Sequence, residues 1–185
     1  MAIVGLAWFV YVIFHLLTLI NFHYDVIGFN DYHVWLNQLL TYQLLIVILF
    51  VSLIFHLYVG VNRQIANNHS RETSYKKPYP KLIPRWVAWS GASILLAFIV
   101  FHFIQMRTLD DSNLHQHLLE IFSDPIMVLI YFFGTSALCA HLHHGLSNVL
   151  QTLGITAKVF STSVLLIVGF IFIGFISIPA SVYVK

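Results

Sequence analysis

Four histidines carry the most chemical information in this chain: His15, His56, His102 and His141, each set inside a long apolar stretch. Two lie in matching contexts, His56-Leu57-Tyr58-Val59-Gly60 and His141-Leu142-His143-His144-Gly145, both of the form H-L-x-x-G. The other two follow a glycine at nearly equal distance, Gly5 ten residues before His15 and Gly91 eleven before His102. A neutral imidazole offers one nitrogen lone pair to a metal and donates a hydrogen bond from the other nitrogen. In an apolar span such a side chain is costly and marks a functional site by default. Taken singly, each would serve equally as a hydrogen-bonded core residue; in matching positions of a duplicated helix pair they read as a ligand set.

The elements that must position them are membrane helices. Of 185 residues, 59% are hydrophobic, 16% aromatic and 9% charged, against about 25% charged in a soluble domain. A soluble single-core protein and a disordered chain are both excluded. The net charge of +2 gives no electrostatic footprint for nucleic acid. The single cysteine, Cys139, excludes a disulfide framework, a cysteine-held iron–sulfur cluster and covalent C-x-x-C-H heme attachment. Hydropathy predicts an all-α membrane protein, one transmembrane domain over 1–185, with five helices near 1–20, 38–62, 84–107, 125–150 and 160–182. Each has the roughly twenty residues needed to cross a ~30 Å hydrocarbon core. The first span has no positive n-region and no small-residue cleavage site, so it reads as a retained helix. Pro84 and Pro125 mark first turns, Ser123 and Asp124 are candidate caps, and Gly154 is a candidate stop.

Loop charges orient the spans. Arg63, Arg71, Lys76, Lys77, Lys81 and Arg85 lie between the second and third, and Lys158 between the fourth and fifth. The other two loops carry Asp25, Asp31, Asp110, Asp111, Glu120 and Asp124 against Arg107 alone. The positive-inside rule then puts the N-terminus inside and the C-terminus outside. At 1.5 Å per residue, His15 and His102 lie about 21 and 27 Å from the inner end, and His56 and His141 about 9 and 13 Å. The histidines therefore sort into an outer pair, His15 with His102, and an inner pair, His56 with His141. Two histidines facing each other across a bundle form a bis-imidazole site for b-type heme, and bundle cores house cofactors in this way. Two levels make a ladder of two hemes about 12–15 Å apart on the same arithmetic. The first four helices would form the heme-binding bundle. A glycine one turn beyond each inner histidine leaves room for a porphyrin or a neighbouring helix.

These residues resemble the single-chain diheme cytochrome b membrane anchor of succinate dehydrogenases and fumarate reductases. The resemblance spans nearly the whole chain. It is carried by His15-Leu16-Leu17, Gly28-Phe29-Asn30-Asp31-Tyr32, His56-Leu57-Tyr58-Val59-Gly60-Val61 and Phe101-His102-Phe103-Ile104-Gln105-Met106-Arg107. The most specific part is His141-Leu142-His143-His144-Gly145-Leu146 with Gln151-Thr152-Leu153-Gly154-Ile155-Thr156. It implies that His15 and His102 hold an outer heme b and that His56 and His141 hold an inner one. It also implies two hydrophilic partners on the inner face, a flavoprotein with FAD that interconverts succinate and fumarate and a subunit with iron–sulfur clusters. Electrons would pass between those clusters and a membrane quinone, ubiquinone or menaquinone, in a bacterial cytoplasmic or mitochondrial inner membrane. Such anchors usually carry a soluble basic segment before the first helix. Here Met1 stands almost at the membrane, so docking is expected from the other inner loop or from a further small membrane subunit.

Other residues take lesser roles in this reading. Arg63, His144 and Arg107 are candidate partners of heme propionates, the first two for the inner heme and Arg107 for the outer, because guanidinium suits carboxylate. Arg85, Trp86 and Ser90 are candidate quinone contacts, or ordinary interfacial anchors. His23, His33, His69, His115 and His117 fall in loops and are expected to be solvated, with an outer quinol site near His115, His117 or Glu120 as an alternative. Cys139 is expected to be a small buried apolar residue. Two rival readings remain. One is a diheme anchor of the nitrate reductase, formate dehydrogenase or hydrogenase type. The other is a histidine-lined metal transporter, which lacks mid-span carboxylates to complete its site.

Overall fold

The computed structural model describes residues 2–69, 85–152, 154 and 158–184, without the side chains at 2, 67–69, 85–89, 151 and 158–161. Among the described residues seven α-helices succeed one another: α1 (Ala2–Thr18), α2 (Val26–Gln38), α3 (Leu40–His69), α4 (Arg85–Arg107), α5 (Leu114–Ser123), α6 (Pro125–Thr152) and α7 (Lys158–Tyr183). No strand occurs among the described residues. Five of the helices, α1, α3, α4, α6 and α7, are long and apolar enough to cross a membrane. Their bounds match the hydropathy reading to within two residues, except that α3 runs seven residues beyond the expected end at 62.

Local chemistry sets the ends. The Asp124 carboxylate accepts the Ile126 N–H at 2.9 Å, so Asp124 caps α6, with Pro125 in the first turn where its missing N–H costs nothing. Ser123 has a different task from the expected one: its hydroxyl donates to the Glu120 carbonyl at 2.7 Å and closes α5. Beyond α6, Gly154 has a φ of +78°, the left-handed conformation glycine adopts without a Cβ penalty.

The two acidic connections are not loops. Each contains a helix, and the two pack on each other over one end of the bundle. The Asp25 carboxylate accepts the Gly28 N–H at 2.9 Å and starts α2. A Cβ at Gly28 would run into that carboxylate, which is why a glycine stands there. In α5, Leu114, Leu118 and Phe122 are all buried and recur every fourth residue, a stripe that faces the bundle. They meet Phe22, Tyr131, Ile178 and the fully buried Phe29. Two hydrogen bonds tie the connections together: Asn37 Nδ2 donates to Asp111 at 2.8 Å, and the His115 N–H donates to Asn30 Oδ1 at 2.9 Å. We call this the cap end.

The fifth span is no appendage to a four-helix bundle. A core of Val12 and Leu16 from α1, Cys139 and Leu142 from α6, and Val164, Val168 and Ile171 from α7 joins those three helices. A Cβ at Gly174 of α7 would sit 2.7 Å from Leu16 Cδ1, so the glycine lets α7 approach α1 closely. Cys139 is buried here as expected, with its thiol directed at the Val168 carbonyl, 3.7 Å away. Helix α3 stands at the edge with much of its apolar surface facing outward. It reaches its neighbours through side chains: Trp8 Nε1–H donates to Ser52 Oγ at 2.9 Å, and Phe50 meets Phe103 edge-on at 4.7 Å between centroids.

Candidate functional site: two histidine pairs

The four span histidines meet in two pairs. Nearer the cap end, His15 of α1 and His102 of α4 have ring centroids 5.9 Å apart and planes inclined by 61°. The second pair, His56 of α3 and His141 of α6, has centroids 6.2 Å apart and an inclination of 72°. Each pair joins a helix of the first half-repeat to one of the second, in the pairing expected from depth. The two levels are read along α6. Tyr131, which touches His102 at 5.7 Å between ring centroids, precedes His141 by ten residues, about 15 Å of helical rise.

The cap-end pair is lined by aromatic rings. Tyr11, one turn before His15, lies parallel to it, with centroids 6.0 Å apart and planes within 3°. Phe175 of α7 approaches His15 at 5.7 Å, so the fifth span contributes a wall to this site. Phe98 stacks on His102 at 5.8 Å and 23°. Gly134 makes that possible, because a Cβ there would overlap the Phe98 ring. His102 Nδ1 lies 3.1 Å from the Tyr131 hydroxyl, which donates its own proton to Gln105 Oε1 at 2.7 Å. Gln105 Nε2 is directed the other way, at Met127 Sδ, 3.8 Å off. Sequence reasoning missed Tyr131 and the role of Gln105. The available signal was an amide in an apolar span, three residues after His102 and hence on its face.

The second pair is less enclosed. Among the described residues, His56 Nδ1 is the one buried side-chain nitrogen or oxygen without a hydrogen-bond partner. Buried polar atoms are nearly always partnered, so this one marks an unspent binding capacity. His144 lies within electrostatic reach of His141. Cβ atoms at Gly91 and Gly145 would meet nothing within 4 Å. Among the described residues no neighbouring helix takes up the room beside Gly145, the glycine one turn beyond His141.

The other candidates fall as follows. Arg63 is exposed on α3, seven residues beyond His56. Arg107 is exposed at the cap end, its guanidinium 5.9 Å from the centre of the Phe103 ring. It also lies within electrostatic reach of Tyr42. Ser90 is exposed near the start of α4, while the side chains of Arg85 and Trp86 lie outside the described residues.

Two of the histidines expected to be solvated are built into the cap. His33 of α2 is half-buried, and its Nδ1–H donates to the Phe29 carbonyl at 2.8 Å. Burial holds its imidazole below the usual histidine range, with that hydrogen bond and the Asp111 carboxylate pulling the other way. His115 of α5 stacks on Phe22 at 4.6 Å and donates from Nε2 to the Phe22 carbonyl at 3.2 Å. His23 is exposed as expected, although its Nε2 meets Ser177 Oγ at 3.0 Å. His117 stands 3.8 Å from the Glu120 carboxylate. The exposed Asp110 carboxyl is held below its ordinary range by the hydroxyl and N–H of Ser112.

Two imidazoles held on opposite sides of one iron, with each nitrogen about 2.0–2.1 Å from the metal, place their ring centroids about 6 Å apart. Both pairs meet that requirement. Both are neutral donor sets drawn from facing helices, as a porphyrin iron takes in a bundle. A cation path would gather more ligands, yet among the described residues no three His, Cys, Asp or Glu side chains come together. A shallow apolar groove between α4 and α6, bordered by Ile94, Phe98, Ile126 and Phe133, shares Phe98 with the wall of the cap-end pair and has no histidine in its lining. No family profile, curated protein or solved structure matches this chain, so its functional reading rests on its own residues.

Proposed function

We propose that this chain is a membrane cytochrome b with two b hemes, the anchor of a succinate:quinone oxidoreductase. The observation that carries the reading is the pairing itself: four histidines from four spans meet two by two at the separation bis-imidazole iron requires. Their duplicated H-L-x-x-G contexts support it. The hemes, when bound, supply one-electron carriage between the iron–sulfur partner and membrane quinone.

The chain's own part is positional. His15 and His102 would each offer a ring nitrogen to one iron inside an aromatic sleeve of Tyr11, Phe98, Tyr131 and Phe175 that keeps water from the outer level. His56 and His141 would do the same at the inner level, with His144 and Arg63 toward the basic side, where N–H donors suit propionates. Arg107 has the corresponding place at the outer side. By the positive-inside rule the cap end faces outward and the N-terminus lies on the cytoplasmic or matrix side. The flavoprotein and iron–sulfur subunits would dock there, beside the basic 63–85 connection, with dicarboxylate chemistry confined to the flavoprotein. Quinone contacts from Arg85, Trp86 and Ser90 belong to that same face.

The test is to purify the chain with its bound partners and record a reduced-minus-oxidised spectrum with heme quantification. Two b hemes per chain and co-purifying flavin and iron–sulfur subunits are expected. An intact, folded preparation without heme refutes the reading. Two hemes with a different soluble partner would place the chain with another quinol-linked oxidoreductase.

A further inference from the structure

The two pairs differ in what lies behind their ligands. The difference is sharpest at His102. Tyr131 has a single hydroxyl proton, and it goes to Gln105 Oε1 at 2.7 Å. The Gln105 amide nitrogen is turned away toward Met127. At His102 Nδ1, 3.1 Å away, the Tyr131 oxygen is therefore left with lone pairs alone, and Nδ1 is the donor. The proton then sits on Nδ1, and Nε2 carries the free lone pair. Tyr131 is buried, at 9% exposed, and is packed by Phe98, Phe101 and Phe122. Its hydroxyl thus has a fixed address.

We infer that Tyr131, itself oriented by Gln105, is a positioning residue that sets the tautomer and ring orientation of His102 as an iron ligand through Nε2. This rests on the diheme reading. A metal-bound histidine that donates its other N–H is a stronger electron donor, and loss of such a partner typically costs about 10–100-fold in metal affinity. Tyr131 lies against His102 of the outer pair, ten residues of α6 and about 15 Å of rise away from His141 of the inner pair. The effect of removing Tyr131 is therefore confined to one heme.

The experiment uses the full chain with its partners in four forms: wild type, Tyr131→Phe, Gln105→Leu and the double substitution. Each is examined by heme quantification, redox titration and the low-spin spectrum of the oxidised state. Tyr131→Phe removes the acceptor, so His102 donates less electron density and the oxidised iron is less favoured. The outer heme is expected to bind at least tenfold more weakly. Its potential is expected to rise by up to a tenfold change in the one-electron equilibrium, about 59 mV. The inner heme stays as it was and reports that the chain is folded. Gln105→Leu frees the Tyr131 proton to point either way and gives a smaller shift in the same direction. The double substitution matches Tyr131→Phe alone. A Tyr131→Phe chain that loads both hemes with both potentials unchanged overturns the role of Tyr131 and leaves the diheme reading standing. So does an equal shift of both hemes. Absence of heme from the wild type overturns both.

Discussion

Replacing Gly134 by alanine tests whether packing behind the cap-end pair works as the structure implies. The added methyl would overlap the Phe98 ring, with Cδ2 and Cγ as the nearest atoms. Cγ is bonded directly to Phe98 Cβ, so spinning the ring about χ2 gives no relief. The side chain must change χ1, which carries it off its 5.8 Å stack on His102 and toward the groove between α4 and α6. Overpacking of this kind costs about 1–3 kcal/mol. With Phe98 also reduced to alanine the clash is gone. What remains is the gain of about 1 kcal/mol for alanine over glycine inside a helix. The effect of Gly134→Ala should therefore change sign between the two backgrounds, with a swing of about 2–4 kcal/mol as the coupling between the sites. Reversible unfolding in mixed micelles, run on all four members of the cycle, measures it. In the single Gly134→Ala protein the absorbance of the outer heme should be lost before that of the inner. Equal effects of Gly134→Ala in both backgrounds would refute the argument, because the Phe98 ring would then not be what the glycine accommodates.

Further outcomes follow from the same geometry. Alanine at His15 or His102 should remove one heme and alanine at His56 or His141 the other, taking pyridine-hemochrome content from two per chain to one; loss of both from any single change would speak against separate levels. Burial holds His33 below its ordinary pKa, so the folded cap favours the neutral ring. Its stabilisation is complete above the unfolded value and is lost as pH falls through that value toward the folded one. Protection from hydrogen exchange across 26–38, taken relative to the intrinsic rate at each pH, should accordingly fall below about pH 6.5, and His33→Gln should flatten that dependence. Asn37→Ala breaks the bond to Asp111 and should destabilise the cap by about 1 kcal/mol, read as faster exchange in α2 and α5 with heme content unchanged. Ser52→Ala removes the acceptor of Trp8 and should cost about 0.6 kcal/mol, the usual worth of an interhelical hydrogen bond in a membrane, measurable by the same micellar unfolding.

What the sequence makes legible here follows from length. An apolar run of twenty residues has one plausible form, and a fixed rise per residue converts position into depth. That is enough to foresee five spans and to pair His15 with His102 and His56 with His141. The cap helices are harder. Residues 26–38 and 114–123 are short and flanked by acidic groups, so a reading by loop charge passes over them. Their signals are local ones, Asp25 three residues before Gly28 and the fourfold recurrence of Leu114, Leu118 and Phe122. Once these helices form, His33 and His115 cannot be solvated loop residues. Least legible are the contacts that depend on which helix lies beside which. No periodicity reveals that α7 brings Phe175 to His15, or that Gly134 and Gly174 are glycines of close approach whereas Gly91 and Gly145 have no close neighbour among the described residues.

The asymmetry between the two pairs follows from that arrangement. Helices α1, α4, α6 and α7 meet tightly toward the cap, where α2 and α5 close over them and Tyr131, Phe98 and Phe175 fill the space around His15 and His102. Helix α3 touches this assembly through a few side chains, so His56 is carried by an edge helix, whereas its partner His141 stands on α6 beside the buried Cys139 and Leu142. His56 Nδ1 has no hydrogen-bond partner, so packing must keep His56 in place, and α3 packs less closely on the other spans than α4 does on α6. A partner docked on the basic side, or the bound group itself, would contribute proportionally more to order at the inner level than at the outer. Under stepwise unfolding the inner site of the isolated chain should therefore be the first to open, and binding of the soluble subunits should protect it while leaving the outer site nearly unaffected.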